Sequence, residues 1–233
     1  MKILFYTVSN KRSRDIESQA LLFSKSGHQV YLLTQNSRSE LHDFFEQYGF
    51  QTGSIGYASS VLPFFIVVHI FYFLRFCNKN KINIAYSHLD SCSLISVLAQ
   101  FFTSTRVVVC RHHADALIYE TNWKGQWISK MIYKMARVII AVSQNAKEFM
   151  VRNESISQNK ISVIPLSFDF DLYPLPNKDE VNAIRNKFKA DLLLITVGRF
   201  TSLKRIDHII DLVNILHTQG ADVKLFFLQE NNS

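Results

Sequence analysis

Short apolar runs alternate along the chain with stretches whose apolar positions recur every three or four residues. Residues 2–8 (KILFYTV) form the first run, and residues 15–25 follow with Ile16, Ala20 and Phe23 at helical spacing. The rhythm repeats. Strands are predicted at 29–34 (QVYLLT), weakly at 50–55, then at 82–87 (INIAYS), 106–110 (RVVVC), 138–142 (VIIAV) and 160–164. Helices are predicted at 39–48, 60–78, 91–102 and 124–135, with a further one from 143. Gly27 and Gly49 follow helical stretches as C-caps, and Pro63 falls in a first turn, where its missing N–H does no harm. Continuously apolar strands such as RVVVC are buried on both faces, as in parallel sheets covered by helices. The expected fold class is therefore α/β, with a doubly wound, mostly parallel sheet.

The pattern breaks after residue 165, where Pro165, Pro174 and Pro176 bring together three of the four prolines. A helix at 181–189, a strand at 192–197 (LLLITV), an amphipathic helix at 203–218 and a strand at 223–228 then begin a second βαβ unit. The expected organisation is a Rossmann-like domain at 1–165, a linker and bridging helix at 166–190, and the start of a second domain at 191–233. Two strands do not make an independently stable sheet. This part is therefore expected to be truncated, belonging to a longer polypeptide.

Composition narrows the class. Of 233 residues 48% are hydrophobic and 19% charged, which excludes disorder. Only 7 Gly and 4 Pro are present, too few for an all-β sandwich or a repeat-loop architecture. Lys and Arg number 26 against 19 Asp and Glu, a net +7. The basic residues are scattered in short groups such as Lys11/Arg12/Arg14 and Lys79/Lys81, with no nucleic-acid-binding signature, so no nucleic acid partner is expected. Cys77, Cys92 and Cys110 are odd in number and far apart, which suits buried thiols in a reducing cytosol rather than disulfides or a metal pair. The apolar run 61–77 covers 17 positions, about 25 Å as a helix against a hydrocarbon core of about 30 Å. His69 and Arg75 interrupt it, so it is not expected to cross a membrane. Its excess of Phe on more than one face, beside basic residues, leaves room for contact with an anionic membrane surface.

Three clusters carry candidate chemistry. Gly198-Arg199-Phe200-Thr201-Ser202-Leu203-Lys204 joins a strand to a helix, where free amides and the helix dipole favour an anion. Arg199 and Lys204 either bind a phosphate there or are solvated residues at a helix start, with Lys204 one turn in and Ser202 as the cap. Arg111-His112-His113-Ala114-Asp115 follows a strand, and neighbouring His residues on a strand point oppositely, so they are no two-ligand metal site. With no zinc spacing either, no metal is expected. Tyr86-Ser87-His88-Leu89-Asp90 ends another strand at the same sheet edge.

In order along the chain, VIIAVS (138–143), KISVIPLSFD (160–169) and VGRF…K (197–204) resemble the retaining family 4 glycosyltransferases of the GT-B fold. The family pattern reads roughly "a-VS … ki-VIPnGvD … vGRl…K-G-d", and residues 136–209 are the specific part of the match. The resemblance implies an enzyme whose Gly198, Arg199 and Lys204 bind the diphosphate of a nucleotide-sugar donor. It implies a catalytic His near the transferred sugar, His112 first and His113 as runner-up, with Asp115 orienting it or capping the next turn. His88 and Asp90 are then acceptor-side candidates. The acceptor would be a saccharide or a lipid-linked saccharide, no cofactor or metal is expected, and the location would be cytoplasmic, at the inner face of the membrane if peripheral. Departures from the pattern are plain. The loop Ser9-Asn10-Lys11-Arg12-Ser13-Arg14 lacks the family's glycines, Ser167 replaces the Gly of "IPnG", and the paired-Glu donor motif is missing before Ser233. The chain alone is therefore expected to be inactive. The alternative is a non-catalytic, truncated GT-B module that binds a partner subunit or an anionic membrane surface. A nucleotide-sugar epimerase ranks lower, because the VGRF…K run fits transferases better.

Overall fold

Seven of the apolar runs pair side by side in the computed structural model, which describes residues 1–8, 10–112, 123–173, 175–198, 200 and 204–228, apart from the Lys124 side chain. The strands are β1 (Lys2–Thr7), β2 (Gln29–Thr34), β3 (Gln51–Ser54), β4 (Ile84–His88), β5 (Arg106–Arg111), β6 (Val138–Ala141) and β7 (Ile161–Val163). Their order is β3-β2-β1-β4-β5-β6-β7, and every neighbouring pair is parallel. The order reverses between β1 and β4, and at such a switch point the two flanking connections leave a crevice at the carboxyl edge.

The helices of this unit are α1 (Arg14–Lys25), α2 (Glu40–Gln47), α3 (Leu62–Asn80), α4 (Asp90–Ala99), α5 (Trp123–Met135) and α6 (Gln144–Arg152). Alternation along the central strands divides the core between two faces. Leu4, Tyr6, Tyr31 and Leu33 join Phe73 and Cys77 of α3, Ile95 of α4 and Ile132 of α5. Ile3, Phe5, Val30 and Leu32 join Ile16 of α1 and Phe45 of α2 on the other side. β1 is thus covered on both faces, as a continuous apolar run requires.

Helix α3 runs to Asn80, further than the apolar pattern suggested. Its 19 residues make it, among the described residues, the one helix long and apolar enough to cross a membrane by length and composition. It nevertheless buries one side on the sheet through His69, Phe73 and Cys77, with Phe73 tilted on Tyr6 at 5.0 Å. Asn80 extends it by donating to the Phe76 carbonyl at 3.0 Å, and Lys81 ends it with φ 53°.

The chain divides into two units, Met1–Leu172 and Tyr173–Ser233. The second holds α7 (Lys178–Phe188), β8 (Leu192–Val197), α8 (Ile206–Thr218) and β9 (Val223–Leu228). β8 and β9 pair in parallel, and Phe188 packs edge-on against Phe226 at 4.5 Å. Two strands cover little, and Ile195, Val197, Ile210 and Ile215 stay exposed.

Candidate functional site

In a parallel sheet every strand ends at the same edge, so His88, last in β4, and Arg111, last in β5, meet there. His88 lies opposite Cys110 in the β4–β5 register, which puts both side chains on one face. His112, two positions beyond Cys110, returns to that face. The result is a contact between two histidines 24 residues apart in sequence: His88 Nδ1 lies 3.1 Å from His112 Nε2. His88 is 2% exposed, packs face-on against Phe5 at 5.9 Å and meets the edge of Tyr86 at 4.4 Å.

Burial holds the His88 pKa far below its ordinary value, the nearby His112 pushes it the same way, and Asp15 at the start of α1 opposes them. His88 is therefore neutral near pH 7, and one imidazole N–H bridges the pair. Its other nitrogen, Nε2, is buried and has no hydrogen-bond partner among the described residues. Beneath the pair, Tyr86 donates its hydroxyl to the Cys110 sulfur at 3.1 Å, and burial pushes the Cys110 thiol up to about 11. One donor atom each from His88, Cys110 and His112 lie within 4.8 Å of one another.

The next residue is strained. Leu89 adopts φ 71° and ψ 156°, a region almost reserved for glycine that costs about 1–3 kcal/mol. That turn sends His88 inward and starts α4 at Asp90, whose carboxylate accepts from the Tyr133 hydroxyl at 3.3 Å. Tyr6, Gln35 and Ser91 add a polar chain along the edge. Gln35 donates to the Tyr6 hydroxyl at 3.1 Å and accepts from Ser91 at 2.7 Å.

Arg111 is committed to structure. It pairs with Glu154 at 3.0 Å and lies 4.8 Å over the Tyr133 ring, fixing the strand end that carries His112. In the glycine-free first loop, Arg12 Nη2 donates to the buried Glu17 at 2.7 Å, and its guanidinium lies 4.5 Å over Phe44.

Of the residues singled out in the sequence, His88, His112 and Asp90 fall at this one edge. His113, Asp115 and Arg199 lie outside the described residues. In the second unit Gly198 and Lys204 come together: Gly198 has φ 150°, and a Cβ there would sit 3.3 Å from the Lys204 side chain. α8 starts at Ile206 rather than at 203, because Arg205 takes a left-handed conformation (φ 45°) at the N-cap. Lys204 therefore stands in the turn before the helix, not one turn inside it, and the N-cap position is not that of Ser202. Leu89, Cys110, Gln35 and Ser91 carried no sequence signal beyond their place near strand ends and helix starts.

The family model described as Glycosyltransferase Family 4 matches residues 16–172. An uncharacterized glycosyltransferase of Methanocaldococcus jannaschii is 23% identical over 153 residues, covering 61% of this chain and 38% of its own length. The fold is similar to that of Anabaena Alr3699/HepE, solved in complex with UDP and glucose, with a TM-score of 0.75, 14% identity, and coverage of 100% of this chain and 62% of that one. Sucrose-phosphate synthase from Thermosynechococcus elongatus superposes with a TM-score of 0.69 at 14% identity, covering 97% of this chain and 61% of that one. The chain thus spans less than two thirds of the length of each of these relatives.

Proposed function

The chain belongs to glycosyltransferase family 4, and on that premise we propose that it supplies the acceptor side and the start of the donor side of a retaining GT-B enzyme. The reaction is transfer of a sugar from a nucleotide-sugar donor to a saccharide or lipid-linked acceptor. The observation that carries this reading is the His88–His112 contact at the carboxyl edge, next to the sheet's switch point. The half-buried imidazole of His112 can hydrogen-bond a sugar hydroxyl or, in its unprotonated form, take the acceptor's proton, work that contributes roughly 10²–10⁴-fold in rate. His88 holds that ring in place and keeps a second positive charge from building beside it. Lys204, with Arg199, supplies charge to the leaving diphosphate, and Gly198 leaves the room that the Lys204 stem occupies. These groups need no metal or cofactor for transfer. UDP and glucose in the Anabaena relative support a donor of this chemical class. The test is turnover of nucleotide sugars by the chain and by a longer polypeptide carrying it, with His112→Ala and Lys204→Ala compared against wild type.

A second reading rests on α3. Phe64, Val67 and Phe71 are 65%, 66% and 59% exposed, and Arg75 and Lys79 continue the same stripe at four-residue spacing. Aromatic and aliphatic groups beside basic ones suit the anionic inner face of a cytoplasmic membrane. The chain would dock there, either to meet a lipid-linked acceptor or as a non-catalytic module. Cosedimentation with anionic vesicles tests this.

A further inference from the structure

We propose that His88, Cys110 and His112 form a binding site for Zn²⁺, reached from the carboxyl edge of the sheet. The three side chains share one face because the β4–β5 register sets His88 opposite Cys110 and the two-residue repeat of a strand returns His112 to that face. Their donor atoms lie within 4.8 Å of one another, with the two imidazole nitrogens 3.1 Å apart. Zn–N bonds of about 2.0 Å and Zn–S bonds of about 2.3 Å in a tetrahedron put ligand atoms roughly 3.3–3.6 Å apart. The histidines already stand near that spacing, and the sulfur needs a shift of about an ångström at most.

The donor set selects the ion. One sulfur and two imidazoles suit Zn²⁺ and give nothing to Mg²⁺ or Ca²⁺, which want oxygen. Three protein ligands leave a fourth position for water, the pattern of an open zinc site. The Asp15 carboxylate acts electrostatically on both His88 and Cys110, which favours a cation among them. The proton balance is simple. Cys110 releases its thiol proton to solvent as the Zn–S bond forms. The imidazole that donates in the His–His contact moves that proton to its other nitrogen, so one proton leaves per ion bound. The buried thiolate, otherwise unfavourable, is then neutralised by the cation.

One consequence rests on the proposed function. Zinc holds His112 through Nε2, which leaves the ring proton on Nδ1, so the imidazole can no longer take a proton from an acceptor and occupancy shuts transfer off.

Cobalt(II) reports the site directly. Titrating the full chain with Co²⁺ is expected to give one equivalent of a tetrahedral visible spectrum, with a near-ultraviolet thiolate-to-cobalt band that Zn²⁺ bleaches. Cys110→Ser should lose that band with unchanged circular dichroism, Cys92→Ser should keep it, and His112→Ala should weaken uptake at least tenfold. Absence of the band in the folded wild-type chain, or its persistence in Cys110→Ser, overturns the proposal. Zinc binding without inhibition of an active, longer polypeptide leaves the metal site standing and overturns the role of His112 in transfer.

Discussion

Nδ1 of His88 and Nε2 of His112 stand 3.1 Å apart, joining the ends of β4 and β5 at the carboxyl edge. Backbone pairing sets this contact through the His88–Cys110 register. Its chemistry depends on burial: His88 is enclosed and stays neutral, so the pair shares a proton without carrying two charges. On the proposed reading, His112 is the imidazole that meets the substrate and His88 positions it.

This burial makes stability pH-dependent. An unfolded His titrates near 6.5, while folded His88 titrates far lower, so the unfolded state takes up the extra proton. The His88 contribution is therefore complete above about pH 6.5 and is lost as pH falls below it, at roughly 1.4 kcal/mol per pH unit. His69, whose pKa burial also lowers while the Tyr57 carbonyl opposes, acts with the same sign. Denaturant melts between pH 7 and 5 should show this loss, and His88→Asn should reduce it to the part that His69 supplies. An equal slope in the variant would remove His88 from the account.

Leu89 gives a test of strain. Replacing it by Gly relieves about 1–3 kcal/mol of backbone cost and adds about 0.5–1 kcal/mol of chain entropy to be lost on folding. Leu89→Gly is expected to gain about 1 kcal/mol, or a rise in Tm of about 2–4 °C. A drop in Tm would mean that the exposed Leu89 side chain matters more than its backbone.

On the donor side, Lys204→Ala is expected to weaken binding of UDP or a nucleotide sugar about tenfold or more, the scale of one charge-assisted hydrogen bond. Gly198→Ala should weaken it too, since a methyl group there meets Lys204 at 3.3 Å and φ 150° disfavours it. Calorimetry checks both. Wild-type affinity in the two variants would remove this loop from the donor site.

For α3, Phe64→Asp with Phe71→Asp should abolish cosedimentation with anionic vesicles while Tm stays within a few degrees, because both residues are exposed. Phe73→Ala, on the buried side of the same helix, should instead cost about 3–5 kcal/mol. Unaltered vesicle binding in the double variant would leave the stripe without a membrane role.

Much of the fold is legible from alternation and helical spacing. KILFYT reads as a strand covered on both faces, and Leu4 and Phe5 do lie in opposite clusters. Element ends are less legible where backbone conformation decides them. Lys81 and Arg205 adopt left-handed angles that their side chains do not advertise, so α3 runs longer and α8 begins later than the pattern suggests. The site shows the same division. His88 and His112 are each visible as residues just past apolar strands, but their contact requires the strand register. Cys110 reads as an inert thiol until that register places it beneath them. Nothing about Leu in sequence announces the strain at Leu89.

The most direct test of the whole account is the rate of sugar transfer from a nucleotide sugar in a polypeptide carrying these residues, measured for wild type and His112→Ala. The account predicts that kcat/KM falls by about 10²-fold or more, the contribution of a positioned acid–base group, while circular dichroism shows the variant folded. A variant that transfers sugar within twofold of wild type would contradict it.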